Sequence, residues 1–318
     1  MNPSQKEYLR ILIGQTAIGK NEVACYIANR INAEIISVDS MKIYRGMDIG
    51  TSKSSLEQRR KVKYHLIDIV ESYEEYNVAK FVNDCDKAIA DIIKRGKKPL
   101  LVCGTPLYLK ALLYGIFSGL SSSPELRVEL EKTASEKGLD FLYEQLRKID
   151  PVRVSGTDRI HPNDKKRIIR AIEVYTISGK PISSFQTHFN KNELRYQATV
   201  VGLKRTSDDL YSRIDARVEK MFRQGLVDEV KRLVDSPHGL SKQAAQAVGY
   251  KEVIKYLKGE ITLEEAKDEV EKNTRHLAKR QMTWFRRFTE INWIECPPDA
   301  TTNQICDKII KTFSIKDS

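Results

Sequence analysis

No two of the five cysteines, Cys25, Cys85, Cys103, Cys296 and Cys306, are spaced as CxxC, and none has the spacing of a zinc site. That excludes a disulfide scaffold and a zinc ribbon; Cys25 and Cys85 fall on apolar stripes of helical segments and are expected to be small core residues in a reducing compartment. No apolar run approaches the roughly 18–20 residues of a membrane span. The polar stretch from Met1 to Arg10 lacks a signal-peptide core, so the chain is expected in the cytoplasm, without membrane contact. Internal repeats and low-complexity tracts are missing too, which excludes a solenoid and a long disordered region.

Acidic residues are also in short supply. Against 54 Lys and Arg stand 43 Asp and Glu, a formal net charge of +11 over 318 residues. An excess of this size fits a polyanionic partner, because each cation facing a phosphate releases condensed counterions. It also fits a merely basic cytoplasmic protein. Where the cations cluster decides between the two.

The first hundred residues alternate strand and helix. Ile11–Ile13, Glu34–Val38, His65–Val70 and Pro99–Cys103 read as strands. Val23, Ala24, Ile27, Ala28 and Ile31 recur at helical spacing, as do Phe81, Val82, Cys85, Ile89 and Ile92 before Gly96. Strands alternating with helices predict an α/β fold, a P-loop-type parallel sheet covered by helices. After the breaker Ser121-Ser122-Ser123-Pro124 the chain becomes helical and charged, until Gln197–Leu203 restores a strand. Residues 121–189 are therefore expected to form a helical insertion in a core made of 1–120 and 190–318. From Asp208 to Phe288 the pattern is almost wholly helical, a helical C-terminal region.

Gly14-Gln15-Thr16-Ala17-Ile18-Gly19-Lys20 fits GxxxxGK between an apolar strand and an amphipathic helix. Such a turn wraps backbone N–H groups round an anion, and the helix N-terminus and the lysine add positive charge. The alternative is a structural glycine turn. Asn21 follows, where a hydroxyl that ligates Mg²⁺ is usual; an amide oxygen is a bulkier ligand for a hard cation. Asp39 ends the second strand, at the edge where open α/β sheets hold ligands, and is read either as a base or metal ligand or as a turn cap with Ser40. Thr105, before Pro106, is read as an N-cap or a substrate contact. Arg213 and Arg217 share one helix face, suited to an oxyanion or simply solvated.

Two basic clusters stand out. Lys272, Arg275, Lys279, Arg280, Arg286 and Arg287 lie in a stretch without an acid until Glu290, interleaved with Trp284, Phe285 and Phe288. Cations with aromatics can track a nucleic-acid backbone and stack on bases, which favours RNA over a helix that buries its aromatics. The second cluster, Lys165-Lys166-Arg167 with Arg170, opens a helix that Asp164 can cap.

In order along the chain, GQTAIGKN (Gly14–Asn21), EIISVDSMKIYRGMDIGTSK (Glu34–Lys53), YHLID (Tyr64–Asp68), CGTPLYLKALL (Cys103–Leu113), HPNDKKRIIRAIEVY (His161–Tyr175), SGKPIS (Ser178–Ser183), AVGYKE (Ala247–Glu252) and NTRHLAKRQMTWFRR (Asn273–Arg287) resemble the tRNA dimethylallyltransferase family, also called tRNA isopentenyltransferases. The resemblance implies transfer of a dimethylallyl group from dimethylallyl pyrophosphate to N6 of the adenosine 3′-adjacent to the anticodon. It implies that Gly14, Gln15, Thr16, Ala17, Ile18, Gly19, Lys20 and Asn21 hold the pyrophosphate, with Mg²⁺ as cofactor and Asn21 as its ligand. Asp39, as general base, Thr105 and Arg217 are the implied catalytic residues. The tRNA anticodon stem-loop is the implied partner of Asp39, Ser40, Met41, Lys42, Thr105, Ser123, Lys166, Arg167, Ile168, Ile169, Arg170, Arg275, Lys279, Arg280 and Trp284. A monomer is expected.

The chain departs from the family pattern at five positions. Gln15, Ile18 and Asn21 stand where the loop usually has Pro, Ser and Thr; Lys42 stands where Gln is common, and Cys103 replaces the first glycine of GGT. An adenylate isopentenyltransferase acting on free nucleotide, a P-loop kinase or NTPase, and a non-catalytic tRNA-binding paralogue are the competing readings.

Overall fold

Six strands, β1 (Tyr8–Ile13), β2 (Ala33–Val38), β3 (Tyr64–His65), β4 (Lys98–Cys103), β5 (Gln197–Lys204) and β6 (Ile291–Glu295), form one parallel sheet in the order β3-β2-β4-β1-β5-β6. The computed structural model describes residues 8–115, 123–155, 159–185, 194–288 and 290–314. The chain divides into two units, Met1–Leu113 with Arg195–Ser318, and Tyr114–Leu194. The expected insertion edges, Ser121 and Phe189, lie outside the described residues.

In the first unit, β1 to β4 alternate with α1 (Lys20–Arg30), α2 (Leu56–Lys61), α3 (Val78–Lys94) and α4 (Pro106–Tyr114). The second unit is helical: α5 (Pro124–Lys137), α6 (Leu139–Ile149), α7 (Pro151–Ser155), α8 (Lys165–Ser178) and α9 (Ile182–Phe185). The first unit resumes with β5, α10 (Ser207–Arg223), α11 (Leu226–Val234), α12 (Tyr250–Leu257), α13 (Leu263–Phe285), β6 and α14 (Thr302–Ser314). Among the described residues, no helix is long and apolar enough to cross a membrane. All five cysteines are free and buried.

Burial follows the periodicities. Val23, Ala24, Ile27 and Ala28 of α1 pack with Leu12, Ile35 and Leu100 of the sheet, and Leu210, Ile214 and Val218 of α10 join the same core. Each such side chain contributes about 1.5–3 kcal/mol when fully buried. Asn77 caps α3, accepting from the N–H groups of Ala79 and Lys80 at 3.0 Å each.

One strand expectation is corrected and one strand is added. The run His65–Val70 is not a strand: β3 is only Tyr64–His65, because Leu66 and Asp68 adopt positive φ of 58° and 56°. Such residues cannot continue an extended ladder. Asp68 is instead drawn into ion pairs with Lys53 and Arg59. The edge strand β6, Ile-Asn-Trp-Ile-Glu, was not expected; its polar residues hide it from a reading based on apolar runs.

Strand register places the site. Ile13 pairs with Cys103 and with Gly202, and Val38 pairs with Cys103. The next residues on three of these strands are Gly14, Asp39 and Gly104. The GxxxxGK loop, the carboxylate and the Gly104-Thr105 turn therefore leave the sheet along one edge.

Candidate active site

The loop from Gly14 to Lys20 joins β1 to α1, as the sequence requires. Gly19 has φ of 103°, a conformation that L side chains rarely adopt, and it lets the chain turn straight into the helix. The Lys20 ammonium folds back onto the loop, donating to Gly14 O at 2.6 Å and Gln15 O at 2.7 Å. One of its three N–H donors is left for a ligand. Burial, and then the nearby Lys42 ammonium, push the Lys20 pKa down to about 7.

Arg213 and Arg217, one turn apart on α10, both reach this loop. The Arg213 guanidinium donates to Ala17 O at 3.1 Å and that of Arg217 to Thr16 Oγ1 at 3.2 Å. The shared face is thus turned to the phosphate loop, a target that spacing alone could not name. Burial lowers the Arg217 pKa to about 10, which leaves the guanidinium charged at neutral pH.

Asp39 serves its turn and faces the cleft at once. Its Oδ1 accepts from the N–H groups of Met41 at 2.9 Å and Lys42 at 3.3 Å. Its Oδ2 lies 3.0 Å from where a Cβ on Gly104 would stand, so a side chain there would press on the carboxylate. Thr105 does not act through a simple N-cap: its Oγ1 accepts from Ser40 N–H at 3.0 Å and lies 3.4 Å from Ser40 Oγ. Gly104 N–H and Thr105 N–H both donate to Val38 O, at 3.0 and 3.1 Å. These bonds stitch the ends of β2 and β4 together.

A cleft of about 1270 Å³ opens over this edge. Thr16 to Glu22, Asp39, Met41, Lys42, Gly104 and Arg217 line one part of it; Met221, Val248, Val270 and Leu277 supply apolar wall. Gly14, Gln15, Ser40 and Thr105 stand behind that lining. The loop carboxylates and cations from Asp48 to Asp68 close another side, where the Lys53 side chain is only 2% exposed and ion-pairs with Asp48 and Asp68.

Asn21, the expected metal ligand, has both ends of its amide engaged. Its Nδ2 donates to Ser52 O at 3.1 Å, and its Oδ1 accepts from the Lys42 ammonium at 3.0 Å. Burial is also the main cause that pushes the Lys42 pKa down, to about 8.

Two functional contacts escaped sequence reading. Gln281, in α13, accepts from Thr16 N–H at 2.8 Å and donates to Gly104 O at 2.6 Å, bridging the phosphate loop and the end of β4. Gln15 Nε2 answers by donating to Ala278 O at 3.0 Å. Glu229, in α11, accepts from the N–H groups of Asp48, Ile49 and Gly50 at 3.0, 2.8 and 3.2 Å and from Tyr250 Oη at 2.6 Å. Neither residue belongs to a local pattern; the only available signal was a polar residue on a helix face that is otherwise apolar.

The remaining RNA candidates differ in availability. On α13, Arg275 pairs with Asp215 at 2.5 Å and Lys279 lies over the Tyr211 ring at 5.9 Å, whereas Arg280 is exposed. Trp284 is half-buried beneath Arg287, 5.3 Å from the guanidinium, and Phe285 is fully buried. In the second unit, Lys166 and Arg167 are exposed at the start of α8, where Asp164 caps the helix by accepting from Arg167 N–H at 3.2 Å. Ile168 and Ile169 are corrected: at 0% and 6% exposure they are core residues, and their side chains cannot reach RNA. Arg170 and Ser123 meet at Glu173, whose carboxylate accepts from Arg170 at 2.6 Å, from Ser123 N–H at 2.9 Å and from Arg127 at 3.0 Å. Burial pushes the Glu173 pKa up, but these bonds together outweigh it and hold it below the usual carboxylate range.

Residues 42–288 match the family model described as IPP transferase. The chain is 42% identical over 306 residues to tRNA dimethylallyltransferase 2 of Geotalea uraniireducens, covering 96% of this chain and 97% of that protein. It is 44% identical to the tRNA dimethylallyltransferase of Carboxydothermus hydrogenoformans, covering 96% of each. Among solved structures it resembles the tRNA isopentenylpyrophosphate transferase of Bacillus halodurans, with TM-score 0.69, 37% identity and coverage of 98% of this chain and 100% of that one. It also resembles a eukaryotic dimethylallyltransferase acting on tRNA, with TM-score 0.81 and 28% identity over 98% of this chain and 80% of the other. A GxxxxGK loop and a carboxylate at one sheet edge agree with a likeness over almost the whole chain, and the chain belongs to the IPP transferase family, the tRNA dimethylallyltransferases.

Proposed function

We propose that this chain transfers the dimethylallyl group of dimethylallyl pyrophosphate to N6 of the adenosine 3′-adjacent to the anticodon of tRNA. The observation that carries the reading is that Asp39 and the GxxxxGK loop open into one cleft. A diphosphate seated on the loop amides, Lys20 and Arg217 is a leaving group whose developing charge those donors stabilise. The adenine N6 lone pair attacks C1 of the prenyl group. The C–O bond to the diphosphate breaks with its electron pair on oxygen, and Asp39 takes the N6 proton as the C–N bond forms. The target base has to leave its stack to enter, and the Ser40-Thr105 contact behind the lining holds the turn that carries Asp39.

Met221, Val248, Val270 and Leu277 provide apolar wall for the prenyl tail. In the first unit Met41, Lys279, Arg280 and Trp284 are the proposed RNA-facing side chains, with Arg275 held by Asp215; in the second, Lys166 and Arg167 are proposed, with Ser123 and Arg170 held by Glu173. One chain supplies the whole cleft, which supports a monomer as the acting unit, and a reducing cytoplasm suits its five free thiols. Mg²⁺ fits these residues poorly, because the Asn21 oxygen already holds an ammonium. No step above is routed through a metal.

The test is direct. The protein is incubated with dimethylallyl pyrophosphate and unmodified tRNA bearing adenosine beside the anticodon, with and without Mg²⁺, and the digested nucleosides are weighed by mass spectrometry. A prenyl mass on adenosine supports the proposal. Modification of AMP but not tRNA points to a free-nucleotide enzyme, and tRNA binding without product under either condition points to a binding paralogue.

A further inference from the structure

We infer that the Lys42 ammonium, held on the Asn21 amide oxygen, supplies the counter-charge that a divalent ion would bring to the diphosphate, so that this chain binds its donor without metal. The inference rests on the diphosphate site proposed above. Its ground is the 3.0 Å bond from Lys42 Nζ to Asn21 Oδ1, in the first turn of the helix that follows the phosphate loop. Asn21 cannot turn this oxygen toward a metal without losing a second bond, since its Nδ2 donates to Ser52 O at 3.1 Å. Lys42 is also fixed at its backbone, whose N–H donates to Asp39 Oδ1.

The surrounding charge favours an anion over a dication. Arg217, Arg59 and Lys53 repel the Lys42 ammonium and Asp39 attracts it, while Lys42 and Lys20 repel one another. Of these cations Lys53 and Arg59 are paired with Asp68, and Lys20, Lys42 and Arg217 face the cleft. A metal ion placed at Asn21 meets Lys42, Lys20 and Arg217; a diphosphate neutralises them. The ammonium has three donors, of which Asn21 takes one, and two remain for phosphate oxygens. Lysine is a compact point charge suited to that task. This assigns Lys42 to the donor rather than to the RNA backbone.

Calorimetric titration of the full chain with inorganic pyrophosphate, in EDTA and in Mg²⁺, tests the inference. Wild-type Kd is expected to agree within about threefold between the two conditions, and Lys42→Gln to weaken metal-free binding by about tenfold or more. Lys42→Arg, which keeps the charge, should retain most of it. Lys42→Gln combined with Asn21→Thr should bind again only when Mg²⁺ is added. Wild-type binding that appears only with Mg²⁺ overturns the inference, whether or not the variants fold. So does a folded Lys42→Gln protein that binds as wild type in EDTA. Metal-free pyrophosphate binding with no prenylated tRNA sinks the proposed function and leaves this inference standing; prenylation with Mg²⁺-dependent pyrophosphate binding does the reverse.

Discussion

Gln281 Oε1 accepts the Thr16 N–H at 2.8 Å, so a side chain from the second-last helix holds a backbone group of the phosphate loop. Its other end holds Gly104 O at 2.6 Å. One buried amide thereby sets the distance between the donor loop and the turn that carries Thr105. The same helix carries the exposed Arg280 and the half-buried Trp284, so under the proposed function RNA docking and donor seating would share one element.

Gln281→Leu keeps the volume but leaves a buried donor and a buried acceptor without partners. Each orphan costs about 1–3 kcal/mol, so urea unfolding should show a loss of stability in that range or above. Prenyl transfer should fall more in kcat than in donor KM, since the reacting groups are misplaced while the anion contacts survive. Unchanged kcat in a folded Gln281→Leu protein would remove the positioning role.

Asp39→Asn isolates proton acceptance from structure. The amide oxygen can still accept from Met41 and Lys42 N–H, so the turn is kept. Loss of the base should lower single-turnover prenylation by about 10²–10⁴-fold. Pyrophosphate affinity, measured calorimetrically, should hold or rise, because a negative charge has left the cleft. A drop in pyrophosphate binding that parallels the rate would show that Asp39 serves the donor instead.

Lys20 makes donor binding pH-dependent. In the free protein its pKa lies near 7, pulled down from 10.5 by burial first and Lys42 second. A bound diphosphate restores the charged form, so the pKa rises on binding. Between these two values binding takes up a proton, and affinity falls as pH rises above about 7. Titrations with dimethylallyl pyrophosphate at pH 8, in buffers of different ionisation enthalpy, should report that uptake. It should shrink in Lys20→Met and disappear below about pH 6.

Much of this architecture is legible in the residues. Ile11–Ile13, Glu34–Val38 and Pro99–Cys103 are continuous apolar runs that end at Gly14, Asp39 and Gly104, the pattern of buried parallel strands whose ends carry the chemistry. What was illegible depends on distance along the chain. The Arg213 and Arg217 guanidinium groups find carbonyl and hydroxyl partners nearly two hundred residues away. Gln281 and Glu229 hold backbone groups, which no side-chain pattern announces. The strand expected at His65–Val70 failed because Lys53 and Arg59 hold Asp68 in a turn, a tertiary demand that overrides local β propensity.

Glu229 is 5% exposed and accepts four hydrogen bonds, three of them from consecutive N–H groups of the loop that walls the cleft. Glu229→Ala strands those donors and the Tyr250 hydroxyl in a buried site. The expected cost is about 3 kcal/mol or more, read by urea denaturation. Glu229→Gln should recover part of it by keeping an acceptor. A loss below about 0.5 kcal/mol in Glu229→Ala would mean that water replaces the carboxylate freely.

Arg275 and Arg280 look alike in sequence but differ in what they are free to do. Arg275 is paired with Asp215 and lies against Glu271, while Arg280 is exposed and has no ion pair among the described residues. Arg280→Ala should weaken tRNA binding and lower the slope of log K against log salt by about 1, as expected for one lost phosphate contact. Arg275→Ala should instead show in thermal stability, with a smaller change in that slope, because its charge is already satisfied by the protein. Filter binding across a salt series, run beside melting curves, separates the two. Equal slope changes would place both side chains on the RNA and make the Asp215 pair a resting contact that tRNA displaces.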